Sequence, residues 1–386
     1  MTAPALTSSV LSVLREHAAR VDTQGEFPVK SLTALRESGL LGLLVPRAYG
    51  GADGNLRIFV ETAQELASAC LSTASVWAMH CQQVDAIARF GSDELRDDLL
   101  PSVARGETYI ASVTTERAKG GHLLSAQQAL TQQDGRLYIE RRAPVVTGGR
   151  HAEGFLITMR AHEGARPDEV SLVYAQREQL DVRESGRWDA MGMRGTESLG
   201  MDLAGTVPAT HVVGEAGRFR TVAVESMIPL AHLGWAACWL GAARGCLREL
   251  VAHLRRPGRS GGPDLTSDLF RERLARIRLD LELTHAYLHR VCQEVSDRRE
   301  RGESLDAHAV QIHLNSLKLA ASELAFRAVD RMVELAGLSA GYAKDSGLPL
   351  ERCFRDLRSA SLNYANDRLW AANGALVLVD RSVTLA

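Results

Sequence analysis

The residues of this 386-residue chain that could do chemistry form few recognisable sets. Its six cysteines (Cys70, Cys81, Cys238, Cys246, Cys292, Cys353) include no CxxC pair and no zinc-like spacing, so they read as small buried side chains in a reducing, cytoplasmic compartment. His285 and His289 stand four apart on a helical pattern, but no third ligand or neighbouring acid accompanies them in the HExxH manner, and no metal site is expected. There is no P-loop, no GxGxxG after a strand and no GxSxG elbow, which argues against nicotinamide and nucleophilic-serine chemistry. Two places remain. One is the run 335–376, where Glu351, Arg352, Arg355, Asp356, Tyr364, Asn366 and Asp367 gather. The other is a lone His232 in the apolar stretch MIPLAHLGWAACWLGAARG, whose imidazole can act as a base near neutral pH.

The elements that must position these residues fall into three groups. Apolar residues at helical spacing (Leu6, Val10, Leu14, Leu32, Leu35, Leu40) and a helical stretch over 56–90, stopped by Gly91 with Ser92 as the next cap, predict an N-terminal α-helical domain over 1–108. Over 109–221 the period changes. Leu137, Ile139, Val145, Val146, Phe155, Ile157 and Met159 read as strands, with Asp134-Gly135 as a hairpin signal, so a central β domain is expected. Over 222–386 two heptad-like stripes return, Phe270 to Val295 and Val310 to Ala328, as antiparallel bundle helices require. Leu279, Leu283 and Phe326 face away from those stripes and suggest a second interface, hence a homodimer or homotetramer. The net charge of −2, with acids and bases interspersed, suggests no nucleic-acid partner and no acidic-membrane partner. No stretch is long enough to span a bilayer.

Helices, then a β domain, then a bundle is also the order of the acyl-CoA dehydrogenase superfamily, and several segments resemble its signatures. ESGLLGLLVPRAYGG (37–51) is similar to "GLxGxxVPExYGG", FGSDELRDDLLPSVARGE (90–107) to "GxxEqkxxxLPxxxxGe", and MGMRGT (191–196) to a strand-pair element. Near the C-terminus Gly337, Gly341, Tyr342, Glu351, Arg352, Arg355 and Asp356 match "GGxGY…ERxxRDxxxxxIYEGT". The resemblance implies an α+β fold, with an N-terminal α-helical domain, a central β-barrel-like domain and a C-terminal four-helix bundle. It also implies a flavin, FAD first, with FMN or a diffusible reduced flavin as alternatives.

By the same resemblance, TERAKGGH (115–122) and RAPVVTGG (142–149) stand where the family contacts its flavin. Groups around Val113, Thr115 and Thr147 would meet the polar edge of the ring, Gly121 replaces a serine, and Val145 stands where a tryptophan would pack. Arg255 or Arg256 would serve the arginine that meets a neighbouring subunit's pyrophosphate, while Glu334 replaces a glutamine there. Gly337 and Asn366 complete the cofactor-binding set.

The family's catalytic glutamate falls on Tyr364, or on Ala365 with one inserted residue, and its alternative site on an earlier helix falls near Ala231. Neither holds an acid. Three residues are candidate substitutes: Asp367, Glu225 and His232. The resemblance first implies oxidation of an acyl group, carried on CoA or an acyl carrier protein, at Cα–Cβ with hydride transfer to flavin N5 and an electron-transfer flavoprotein as partner. The alternative is a monooxygenase that activates dioxygen on reduced flavin for C- or N-hydroxylation, served by a flavin reductase and needing no glutamate. A third reading is a redox-inactive relative that binds a thioester.

Overall fold

The computed structural model describes residues 8–116, 122–256 and 264–386. Its first group of elements is helical: α1 (Ser8–Gln24), α2 (Val29–Glu37), α3 (Leu56–Ala69), α4 (Leu71–Phe90) and α5 (Asp93–Ala104). Two helix starts follow from capping, since Asn55 Oδ1 accepts the Ile58 N–H at 2.9 Å and Ser92 Oγ accepts the Leu95 N–H at 3.1 Å. The single stretch expected over 56–90 is two helices. Cys70 is extended (φ −153°, ψ 110°), which ends α3 and turns the chain into α4.

The strands are β1 (Ile110–Val113), β2 (Thr131–Gln133), β3 (Arg136–Val146), β4 (Gly154–Arg160), β5 (Val170–Gln176), β6 (Leu180–Ser185), β7 (Leu199–Pro208) and β8 (Val212–Val213). They form two four-stranded sheets, ordered β1-β4-β5-β8 and β2-β3-β7-β6. Asp134 (φ 50°) and Gly135 (φ 73°) make the expected tight turn between β2 and β3, with both residues left-handed as a type I′ hairpin requires. In β3 every second residue is buried, whereas β4 and β5 are buried on both faces and carry the middle of the domain. The β3–β7 register slips between Ala143 and Val146. Pro144 has no N–H to give the ladder, and the bulge turns Val145 outward, 38% exposed.

The chain then continues through α6 (Phe219–Val222), a π turn (Ala223–Met227), α7 (Ile228–Leu254), α8 (Asp268–Glu300), α9 (His308–Gly337), a second π turn (Leu338–Tyr342), α10 (Leu350–Leu357) and α11 (Asn366–Val377). The two predicted stripes face inward: Phe270, Ile277, Leu281, Leu288, Val291 and Val295 are buried on α8, and Val310, Leu314, Leu317, Ala321 and Ala328 on α9. Small residues let α3 lie against α7, for a Cβ on Gly241 would sit 2.2 Å from Gln64 O. Leu279 and Leu283 are exposed as expected. Phe326 is not, because α10 folds back over α9 and sets Phe354 against it, with ring centroids 5.2 Å apart. Among the described residues no helix is long and apolar enough to cross a membrane.

Polar ties fix the first two groups to each other. Arg36 pairs with Glu153 at 2.7 and 2.8 Å, and Glu153 also accepts the Tyr109 N–H at 2.8 Å. His80 on α4 accepts the Ile110 N–H on Nδ1 at 3.0 Å, so its Nε2 carries the proton and donates to Leu41 O at 3.0 Å. Burial pulls its pKa down to about 4, which keeps this bridge neutral.

Candidate active site

One wall of the site is built by the β domain. Thr115 follows β1, and its hydroxyl donates to Val145 O at 2.9 Å. Arg141 donates to Thr115 O at 3.0 Å and pairs with Glu116. That pair is buried, and Glu116 also accepts the N–H groups of Gln127 at 2.9 Å and Gln128 at 3.2 Å, so its lone pairs are well used. Burial lowers the Arg141 pKa to about 10, still well above neutrality. Thr147, just past the bulge, lies 3.0 Å from Ser198 Oγ, which lies 2.9 Å from Thr196 Oγ1. Thr196 in turn donates to Met193 O at 2.8 Å. The turn after Thr147 needs glycine twice over: Gly148 has φ +62°, and a Cβ there would lie 2.6 Å from the Phe27 ring. Met193 (φ 53°) and Glu197 (φ 42°) are left-handed non-glycine residues, a conformation that persists only where the surroundings impose it.

The C-terminal helices build the other wall, and Asp356 joins the two. Its Oδ1 accepts the Met193 N–H at 2.5 Å, and a Cβ on Gly192 would lie 2.1 Å from Arg355 O, so the 191–198 loop is pressed onto α10. Burial pushes the Asp356 pKa up to about 6 despite that hydrogen bond. After α10 the chain reaches Tyr364, half-buried and left-handed at φ 49°. Beneath it lies Lys318 of α9, fully buried, with Nζ donating to Tyr364 O at 3.1 Å and to Asn366 Oδ1 at 2.6 Å. The ammonium also stands 5.7 Å from the Trp239 ring centroid. Because these partners are neutral, burial draws the Lys318 pKa down to about 8. His232 of α7 is buried near this amine, and its Nδ1 lies 3.1 Å from Leu314 O. A carbonyl can only accept, so Nδ1 carries the proton, and burial followed by Lys318 lowers the pKa to about 3.

The family models for the acyl-CoA dehydrogenase N-terminal domain and C-terminal domain match residues 5–107 and 221–363. The chain belongs to the acyl-CoA dehydrogenase superfamily. It is 24% identical over 348 residues to a probable acyl-CoA dehydrogenase, YngJ, of Bacillus subtilis (strain 168), covering 89% of this chain and 87% of that protein. It is 23% identical over 365 residues to a dibenzothiophene monooxygenase of Rhodococcus qingshengii, covering 90% and 86%. The solved structure of FMN-bound TdsC from Paenibacillus sp. A11-2 superposes with a TM-score of 0.87 at 21% identity, over 98% of this chain and 97% of that one.

On this acyl-CoA dehydrogenase fold the predicted residues separate. Thr115 and Val145 come together, and Thr147 lies at the end of the same bulged strand. The Val113 side chain belongs to the core. Gly121 lies outside the described residues. Arg255 and Arg256 are exposed at the end of α7, Glu334 is exposed on α9, and Gly337 (φ +75°) closes that helix. Asn366 is engaged inside the protein, because its amide also bonds Ser322 and Glu323.

The three substitute bases do not gather at Tyr364. Asp367 is exposed and accepts the Arg368 N–H at 2.9 Å in the first turn of α11. Glu225 is taken up by the loop between α8 and α9, accepting from Ser304 Oγ at 2.5 Å and Leu305 N–H at 3.1 Å. His232 is locked as described. Sequence reasoning missed Lys318, Ser198 and Thr196. The available signal for Lys318 was its type: one of four lysines (Lys30, Lys119, Lys318, Lys344) in an arginine-rich chain, set directly beside Leu317 on an inward stripe. The two hydroxyl residues gave no comparable signal.

Proposed function

We propose that this chain is a flavin-dependent monooxygenase that takes up reduced flavin and hydroxylates carbon or nitrogen of a small substrate. The observation that supports this reading is that each of the three substitute bases bonds elsewhere, Asp367 at its own exposed helix start, Glu225 to a loop and His232 to Leu314 O, while the positions to which the resemblance assigns the base carry Tyr364, Ala365 and Ala231. Tyr364 cannot stand in, since a phenol near pKa 10 takes no α-proton at neutral pH and burial raises this one further. The residues of the β wall suit a flavin, FAD or FMN. Two threonine hydroxyls and an outward-turned Val145 offer a polar edge beside an apolar contact, on backbone anchored by the buried Arg141–Glu116 pair. Bound there, reduced flavin would supply the electrons for oxygen insertion. Thr115 and Thr147 would orient its edge, Val145 would pack on the ring, and Lys318 would hold the strained Tyr364 carbonyl in place.

Thioester dehydrogenation, on CoA or a carrier protein, is the second reading. One feature favours it: burial brings the pKa of the Lys318 amine, which bonds the Tyr364 carbonyl, down to about 8, closer to neutrality than an ordinary lysine. Anaerobic mixing decides between the readings. Bleaching of the oxidised flavin band by an acyl-CoA or acyl carrier panel would establish the second. No bleaching, together with substrate-dependent oxygen uptake by the pre-reduced protein, is the outcome expected here. Thr147→Val should weaken flavin retention by about 1–3 kcal/mol, the cost of a lost buried hydrogen bond. Assembly belongs to the same proposal. Leu338, Tyr342, Leu362 and Trp370 are exposed on the C-terminal elements, and a flavin-loaded dimer or tetramer is expected by light scattering.

A further inference from the structure

We propose that the hydroxyls of Thr115 and Thr147 form an edge that accepts hydrogen bonds and donates none, and so holds reduced flavin in preference to oxidised flavin. The inference rests on the reading above that this edge meets a flavin. It comes from following protons, starting from atoms that have none to give.

A carbonyl oxygen carries no hydrogen, so any hydroxyl within hydrogen-bond distance of one must supply the proton. Thr196 Oγ1 lies 2.8 Å from Met193 O, which commits the Thr196 proton to that carbonyl. Ser198 Oγ lies 2.9 Å from Thr196 Oγ1, and with the Thr196 proton spent, the proton between them is Ser198's. Thr147 Oγ1 lies 3.0 Å from Ser198 Oγ, and by the same step the proton between them is Thr147's. The chain therefore runs one way, from Thr147 through Ser198 and Thr196 to the Met193 carbonyl. Thr147 Oγ1 is left with lone pairs only.

Thr115 reaches the same state separately, for its hydroxyl donates to Val145 O at 2.9 Å. The Met193 carbonyl is a firm anchor. It also accepts the Trp188 indole N–H at 3.0 Å and the Thr196 N–H at 3.1 Å, while the Met193 N–H is held by Asp356. Ser198 and Thr196 are both buried, so water is poorly placed to reverse the order.

The ligand edge that suits two acceptors is one bearing N–H groups. An oxidised isoalloxazine has a single ring N–H, at N3, and otherwise presents acceptors along its polar edge. The reduced ring gains a proton at N5 and can carry another at N1. Two acceptor hydroxyls thus match the reduced edge and meet the oxidised one lone pair to lone pair, except at N3. Ser198 and Thr196 act here as positioning residues, through the Thr147 proton.

The test measures dissociation constants of the same flavin, FAD or FMN, in oxidised form and after anaerobic reduction, with the bound midpoint potential as a second readout. The unsubstituted chain is expected to bind the reduced form about tenfold more tightly, equivalent to a potential about 30 mV above free flavin for a two-electron couple. Ser198→Ala removes the acceptor for the Thr147 proton and frees it to donate to oxidised flavin, so the preference should fall about tenfold. Thr196→Val should move the ratio the same way through Ser198, which keeps the question open to test if the alanine variant does not fold. The relay is overturned if both variants keep the wild-type ratio within twofold while Thr147→Val still weakens flavin binding. If Thr147→Val leaves both affinities unchanged, the flavin placement itself is wrong and the proposal falls with it.

Discussion

The two walls of the candidate site are held together in different ways. The β wall rests on bonds to its backbone and between its side chains: a buried ion pair at Glu116–Arg141, a bulge at Pro144, and hydroxyls at Thr115, Thr147 and Ser198. The helical wall has a frame of its own, with Asp356 on the Met193 N–H and a tight left-handed turn at Tyr364, and a buried amine, Lys318, holds the Tyr364 carbonyl. A fold preserves the bonds that position backbone because losing one leaves a buried group unpaired, which is costly wherever it happens. A catalytic side chain carries no such penalty. It can be exchanged while the frame around it stays.

If the β wall depends on its ion pair, the largest effect in the molecule should come from breaking it. Glu116→Ala leaves the buried Arg141 charge and two backbone N–H groups without their acceptor, and should cost about 3–5 kcal/mol in chemical denaturation. Glu116→Leu combined with Arg141→Met should recover much of that loss. A single-variant cost under about 1 kcal/mol would mean that the wall stands without the pair.

The joint between the walls is tested by pH. In the folded chain Asp356 titrates near 6, above its ordinary value, so over pH 4 to 6 the native state binds more protons than the unfolded one and stability falls as pH rises. Asp356→Asn keeps an acceptor for the Met193 N–H but cannot ionise. Relative to wild type it should gain stability across that window, by at most about 3 kcal/mol, with thermal melts at several pH values as the measurement. A difference that does not vary with pH would remove Asp356 as the buried joint.

On the helical wall, Lys318→Met should cost about 1–3 kcal/mol at pH 7, because the Tyr364 carbonyl loses its donor and Asn366 Oδ1 is left with the longer bond from Ser322 Oγ. The folded Lys318 pKa is depressed to about 8, so between that value and its unfolded value the unfolded state binds more protons. Wild type should therefore gain on the variant as pH rises through that interval. The smallest effect belongs to Asp367→Ala, within about 0.5 kcal/mol in stability and without change in flavin affinity or turnover, as an exposed side chain predicts. A hundredfold loss of turnover in that variant would reinstate it as the base.

Much of the scaffold was legible because it rests on local rules. The stripes on α8 and α9, the Asp134-Gly135 hairpin and the Ser92 cap each depend on a few neighbouring residues, and each forms as read. The break at Cys70 escaped the reading because apolar spacing carries on across it and only the extended Cys70 backbone marks it. Phe326 was misread for a related reason: a stripe tells which residues leave one interface, and says nothing of a later helix folding over them.

By itself the sequence determined the family and the three-part order, since each depends only on residue type and spacing along the chain. Tertiary structure decided what the remaining polar residues are free to do. Glu225, His232 and Asn366 looked available until packing set Leu305, Leu314 and Lys318 beside them, and Lys318 looked like an ordinary charge until it proved to lie under Tyr364. A side chain's chemistry depends on its hydrogen-bond partners and its burial, and both are set by segments tens of residues away that no spacing rule connects.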